Sequence, residues 1–271
     1  MSAWRRRSMK REIIEVDQER GIRRVTFRDE RYYERKILVG TPQECWDFVP
    51  SVTWISDHYP KGREFYRWLA EKGWSEAEEI KASQGDKGSK VHQAISVLLN
   101  GGTVTMKDCF ENPRTLALEE ITVEEYAALM SFCDWFQEFK PEVIANEYTV
   151  WNERYHYAGT VDLRCKMLGA TWLIDFTISS QIWPSKRIQL GAYKHADTLL
   201  PRGAKLGVLQ LNYKYNKKQK FKFTPIPDQF PLFLAVRNIW ADACADLKPL
   251  QREYPLSLSL AGLTPQSGVP A

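Results

Sequence analysis

The sequence lacks the features that would place it in several common classes. Its 271 residues include no apolar run near the roughly 20 residues that a membrane span requires. The opening stretch, MSAWRRRSMKREIIEV, is basic but is not followed by the apolar segment of a secretory signal. The five cysteines (Cys45, Cys109, Cys133, Cys165 and Cys244) form no CxxC pair, no zinc spacing and no iron–sulfur pattern. Reduced thiols in a cytoplasmic protein are therefore the expectation. There is no internal repeat, and acidic residues are missing from one long stretch. Between Pro201 and Thr224 the chain carries seven Lys or Arg and no Asp or Glu, and residues 5–11 hold five more basic residues. A local excess of this kind suits a phosphate backbone, although for either stretch taken alone a solvated hairpin or a loose basic tail is the better explanation.

What is present is an ordinary globular balance: 44% hydrophobic and 27% charged residues, with a net charge of +4. Residues 1–49 read as a basic tail and a hairpin around Gly21, residues 50–250 as the core, and residues 251–271, low in charge and holding Gly, Pro and Ser, as a disordered tail. Phe65, Trp68 and Leu69 share a helical face that Gly73 should end. A new helix is predicted to begin near Asp86, capped by Asp86 or Ser89, and to stop at Asn100-Gly101-Gly102. Thr122 followed by Glu125 is a capping box, and Pro141 follows that helix. From Val143 onward the chain turns β-rich: three strands, a helix from Pro184 to about Leu199, two more strands and a last helix. This order predicts an α/β fold, a mixed central sheet flanked by helices, with an N-terminal hairpin and helical layer.

Asp162 and Asp175 lie on successive strands joined by the tight turn Leu168-Gly169-Ala170, at nearly equal distances from it. They should face one another, with Thr177 on the face of Asp175. Adjacent carboxylates repel unless a cation stands between them, and carboxylate oxygens suit magnesium or manganese. The competing reading is one surface Asp and one strand-end Asp capping a turn.

YAGTVDL, then WLIDFTIS, then QLGAYKHA resemble the PD-(D/E)XK nuclease superfamily, and more closely the RecB-like exonucleases of phages. Upstream, DKGSKVHQAI resembles that family's early helix, and the likeness runs from about Pro50 to Leu200. The resemblance implies a restriction-endonuclease-like core. It also implies a Mg- or Mn-dependent DNA exonuclease acting in recombination or DNA processing, in the host cytoplasm if phage-encoded. Its partners would be DNA and a second copy of the chain or a recombination protein, and no membrane.

Carried over by position, Asp162 and Asp175 bind metal, with His92 and the Phe176 carbonyl as further ligands and Glu147 as an accessory acid. Gln189 and Tyr193 look toward the scissile phosphate. Read without the family, His92 is a satisfied histidine beside Ile95 and Leu99, Glu147 a strand-edge charge, and Gln189 and Tyr193 packing residues. Lys214, Lys217, Lys218, Lys220 and Lys222, with Tyr213 and Tyr215, would hold a nucleic-acid strand.

The departure is Thr177, where the family has lysine. A cation from elsewhere (Arg164, Lys166, Lys186 or Lys194) can fill the place, a substitution can have disabled catalysis, or the chain is a degenerate nuclease fold that binds DNA without cutting it.

Overall fold

The structure is a computed structural model that describes residues 12–17, 21–27, 30–37, 45–113, 115, 117–211, 221–244 and 247. Its centre is a five-stranded mixed sheet built from the β-rich half of the chain. β7 (Glu142–Asn152), β8 (Tyr157–Met167) and β9 (Ala170–Thr177) form an antiparallel meander. The turn between β8 and β9 is two residues long, with Leu168 at φ 50° and Gly169 at φ 70°. Two successive positive φ values match the right-handed twist of the strands they join. After β9 the chain crosses through α5 (Pro184–Ala196) and returns as β10 (Lys205–Leu211), parallel to β9; β11 (Phe221–Ile226) closes the edge antiparallel to β10. The strand order is β11-β10-β9-β8-β7, so β9 is central.

A central strand is covered on both faces, which is why β9 reads as a nearly unbroken apolar run. Ile174 and Phe176 pack into one layer with Val91 and Ile95 of α3 (Trp74–Leu99) and Phe132 and Trp135 of α4 (Val123–Phe139). Leu173 packs into the other with Ile55 of α1 (Val52–Asp57), Ile188 of α5 and Phe233 of α6 (Phe230–Cys244). The capping box expected at Thr122 and Glu125 is formed in both directions, and Pro184 stands in the first turn of α5.

Two expectations are corrected. α3 does not begin near Asp86: α2 (Arg63–Lys72) stops at Gly73, φ 77°, and α3 starts at once at Trp74. Gly85 and Gly88 lie inside it, each with open space where a Cβ would stand. Their weak helix propensity, roughly 1 kcal/mol each, is outweighed by packing at Ala77, Val91, Ala94 and Ile95 and by buried Lys90, which pairs with Glu119 and Glu125. Secondly, the N-terminal hairpin is part of a four-stranded antiparallel sheet: β1 (Glu12–Asp17), β2 (Ile22–Phe27), β3 (Glu30–Ile37) and β4 (Cys45–Val49). Ile22, Tyr33 and Val49 of that sheet pack on Trp151 and Ala158 of the β7–β8 hairpin. Among the described residues no helix is long and apolar enough to cross a membrane. The basic tail of residues 5–11 and the tail of residues 251–271 lie outside the described residues.

Candidate metal centre

The strands are irregular at the level of the two acids. The β8–β9 ladder runs from Met167 with Ala170 to Leu163 with Ile174, so one further step sets Asp162 opposite Asp175. Unbroken alternation would turn Val161 and Leu163 to the same face. Instead Val161 packs in the α1–α5–α6 layer and Leu163 in the α3–α4 layer. β8 thus reverses its facing across Asp162. The neighbouring strand β7 is irregular at the matching place, where Glu147 has φ 46°. A non-glycine residue in the left-handed region costs conformational energy, and such outliers concentrate at functional sites.

Asp162 uses its two oxygens differently. Oδ2 accepts the Phe176 backbone N–H at 2.7 Å, which ties the carboxylate to β9. Oδ1 lies 3.3 Å from Nδ1 of His92, which α3 delivers from the far layer. The same nitrogen is 3.6 Å from Oε1 of Glu147. One ligand atom from each of His92, Glu147 and Asp162 lies within 4.8 Å of the other two. The ring of His92 is steadied edge-on by Phe176, centroid to centroid 5.8 Å.

Burial alone would lower the His92 pKa, but the charge and hydrogen bonds of Asp162 and Glu147 outweigh it and raise it to about 10. For Asp162 burial pushes upward, and the His92 charge, Lys186 and the Phe176 N–H together bring the pKa below its usual value. A proton on His92 thus balances part of the charge of two acids, the place where a harder cation has its natural ligands. Two carboxylates and an imidazole suit a small divalent ion such as magnesium or manganese.

Asp175 stands beside this cluster but is differently engaged. It is 5% exposed, and Nζ of Lys186, from the first turn of α5, is 2.9 Å from each of its oxygens. Nζ is also 3.5 Å from the Phe176 carbonyl, so that expected metal ligand faces the lysine. Burial raises the Asp175 pKa to about 6, with Asp162 adding to the rise and Lys186 opposing it. The ammonium of Lys186 is held above its ordinary pKa because Asp175 and Asp162 outweigh the cost of its burial.

The other positions sort clearly. Tyr193 and Gln189 are both buried on α5. The ring of Tyr193 lies against Gly159, where any Cβ would strike Cε1 of the tyrosine, so the Gly of the Gly-Thr pair is demanded by close approach. Burial raises the Tyr193 hydroxyl pKa well above normal, with the nearby charges of Tyr33, Asp175 and Asp162 adding to it. Oγ1 of Thr177 accepts the Ser179 N–H at 3.1 Å and ends β9 in a turn. Lys166 pairs with Glu142 at 3.0 Å, Arg164 with Asp197 at 2.9 Å and Lys194 with Asp228 at 3.3 Å. Strand parity makes the first two candidates for the site; their charges are taken elsewhere. Lys222 is exposed on β11 and is linked through Gln210 to the level of Thr177. Lys214, Lys217, Lys218 and Lys220, with Tyr213 and Tyr215, lie outside the described residues.

Three contributors escape a reading of the sequence. Gln210 is buried and donates to the carbonyls of Ser179 at 3.1 Å and Ser180 at 3.0 Å, fixing the turn after Thr177. Tyr33 shares a 2.8 Å hydroxyl contact with Thr160. Asp57 ends α1 near Lys186, and burial raises its pKa against the pull of Lys61, Lys81 and Lys186. Only a polar residue in an apolar strand, Gln210, carried any signal.

No family model matches the chain, and no curated protein does. A solved structure named "Putative exonuclease", from Eubacterium rectale, is similar over 82% of this chain and 94% of its own, at 12% identity and a TM-score of 0.38. A likeness that low carries no functional weight, whereas the side-chain geometry does.

Proposed function

We propose that the protein is a divalent-metal-dependent deoxyribonuclease of the PD-(D/E)XK kind, acting as an exonuclease. The observation that carries this reading is the convergence of His92, Glu147 and Asp162 from a helix and two strands, beside Asp175 on a third strand. Magnesium or manganese, when bound there, would lower the pKa of a water and neutralise charge on the phosphate and leaving oxygen. Asp162 and Glu147 would hold the ion by carboxylate oxygens and His92 by Nδ1. The Phe176 N–H keeps Asp162 oriented, as outer hydrogen bonds do for metal ligands. Asp175, at the edge of the cluster, would orient the attacking water or complete the ligand set. Tyr193 borders the site from α5, close enough to feel the charges of Asp175 and Asp162, and Gln189 is buried on the same helix. Lys222 and the basic segment beside it would meet the phosphate backbone, without sequence preference. The setting is DNA processing or recombination.

Digestion of linear duplex DNA with added manganese tests this. Asp162→Ala and Asp175→Ala should each abolish digestion; digestion at the starting rate in both would reject the assignment. One observation favours a second reading. Thr177 occupies the family's lysine position and is engaged in a turn, as in a degenerate fold that binds DNA without cutting it. DNA binding with no metal-dependent cleavage, before and after Thr177→Lys, would establish that reading.

A further inference from the structure

The proposed reaction leaves one requirement unmet, because developing negative charge on the phosphate calls for a fixed positive group and threonine has none. Four cations stand close enough in sequence to supply it, and three have other partners. Arg164 meets Asp197, Lys166 meets Glu142 and Lys194 meets Asp228. Lys186 alone of the four contacts an acid of the site, with Nζ 2.9 Å from Asp175 and 3.5 Å from the Phe176 carbonyl. We propose that Lys186, delivered from the first turn of α5, is the catalytic cation of this site, and that Thr177 has become a turn residue with no part in the chemistry.

The backbone explains the exchange. A lysine at 177 would extend from the end of β9 itself. Here the Thr177 hydroxyl instead bonds the Ser179 N–H, while Gln210 on the adjoining strand holds the Ser179 and Ser180 carbonyls. That turn leads into α5 and sets residue 186 back over Asp175, eleven positions along the chain. Pro184 fixes the start of the helix, so the third residue of α5 has a defined direction. The Lys186 side chain is 30% exposed as a whole, and its ammonium is held against Asp175 and the Phe176 carbonyl. Asp175 holds it in place as a carboxylate partner, and a phosphate arriving at the site would find it already directed there.

The role of Lys186 rests on the nuclease reading, and its test separates the two. Mn²⁺ affinity is measured by calorimetry without DNA, and cleavage of linear duplex is measured at saturating Mn²⁺, for the starting protein, Asp162→Ala, Lys186→Ala and Lys186→Ala/Thr177→Lys. Lys186→Ala should bind Mn²⁺ at least as tightly as the starting protein, because a competing cation has left Asp175, yet cleave about a hundredfold or more slowly. Adding Thr177→Lys should restore at least about a tenth of the lost rate. Cleavage by Lys186→Ala within threefold of the start, or a parallel loss of Mn²⁺ binding, would overturn the assignment. If Asp162→Ala abolishes binding and cleavage while Lys186→Ala changes neither, only Lys186 falls. If Asp162→Ala changes neither, the nuclease reading falls and takes Lys186 with it.

Discussion

The two halves of the site are built from opposite layers of the fold and are charged differently. From the α3–α4 layer, His92 meets two acids, Glu147 and Asp162. From the α1–α5–α6 layer, Lys186 meets one acid, Asp175. In the second half one ammonium lies 2.9 Å from both oxygens of one carboxylate and donates to Oδ1. In the first, a neutral imidazole leaves two close carboxylates with no cation in contact, and a protonated one offsets only one of the two charges. Coulomb repulsion between close carboxylates is costly in a half-buried setting, so on the proposed reading a doubly charged ion would bind chiefly in this half. On that reading one sheet separates a place for metal from a place for a positive side chain, with the acids meeting where β8 reverses its facing.

The largest effects should come from breaking the first half. Asp162→Ala removes an acid that touches both His92 and β9, and Mn²⁺ affinity should fall by more than the roughly 10–100-fold that loss of an outer partner costs, with cleavage lost alongside. Asp175→Asn should lose cleavage too but weaken Mn²⁺ binding by no more than about tenfold; calorimetry on the two variants decides. Equal losses of affinity would erase the distinction between the halves.

A second effect is visible without metal. The pKa of His92 is raised in the folded protein above its ordinary 6.5 to about 10. Its protonated form therefore contributes stability that is complete below about pH 6.5 and is lost as pH rises through 10. Urea unfolding in the presence of a chelator should show stability falling by a few kcal/mol at most between pH 6.5 and 10, and His92→Ala should flatten that slope. An unchanged slope in His92→Ala would place the titration elsewhere.

How much of the site was legible in the sequence depends on the range of the interactions. The pairing of Asp162 with Asp175 was readable because a two-residue turn fixes register and strands alternate. The same alternation misdirected attention to Lys166, because it assumes an unbroken strand and β8 turns over at Asp162. His92 was legible only through the spacing of a family motif; its own helix face, beside Ile95, looks like core. Among four candidate cations the sequence had no means to choose Lys186, since the choice depends on where α5 starts relative to β9. Gly159 was legible as part of a motif, yet its reason, the ring of Tyr193 from α5, is a tertiary contact. The early start of α3 was hidden by two glycines whose cost the packed residues on either side of them override.

Smaller substitutions sharpen the comparison by damaging one layer at a time. Gly159→Ala forces a methyl into the Tyr193 ring and should cost about 1–3 kcal/mol in denaturant unfolding. Cleavage should fall with the displacement of α5 while Mn²⁺ affinity holds. Thr122→Ala removes one half of the α4 capping box, and should cost about 1 kcal/mol. Because α4 supports the layer of His92 without touching the site acids, neither Mn²⁺ binding nor cleavage should change. A loss of Mn²⁺ binding in that variant would show that the metal half depends on its layer's overall stability and not on local geometry.

The most direct test is anomalous diffraction from crystals grown with manganese. One strong peak is expected within about 2.5 Å of His92 Nδ1 and of carboxylate oxygens from Glu147 and Asp162, with Lys186 beside Asp175 at its edge. A map with no peak there, and the three side chains turned away from one another, would contradict a metal centre at this place.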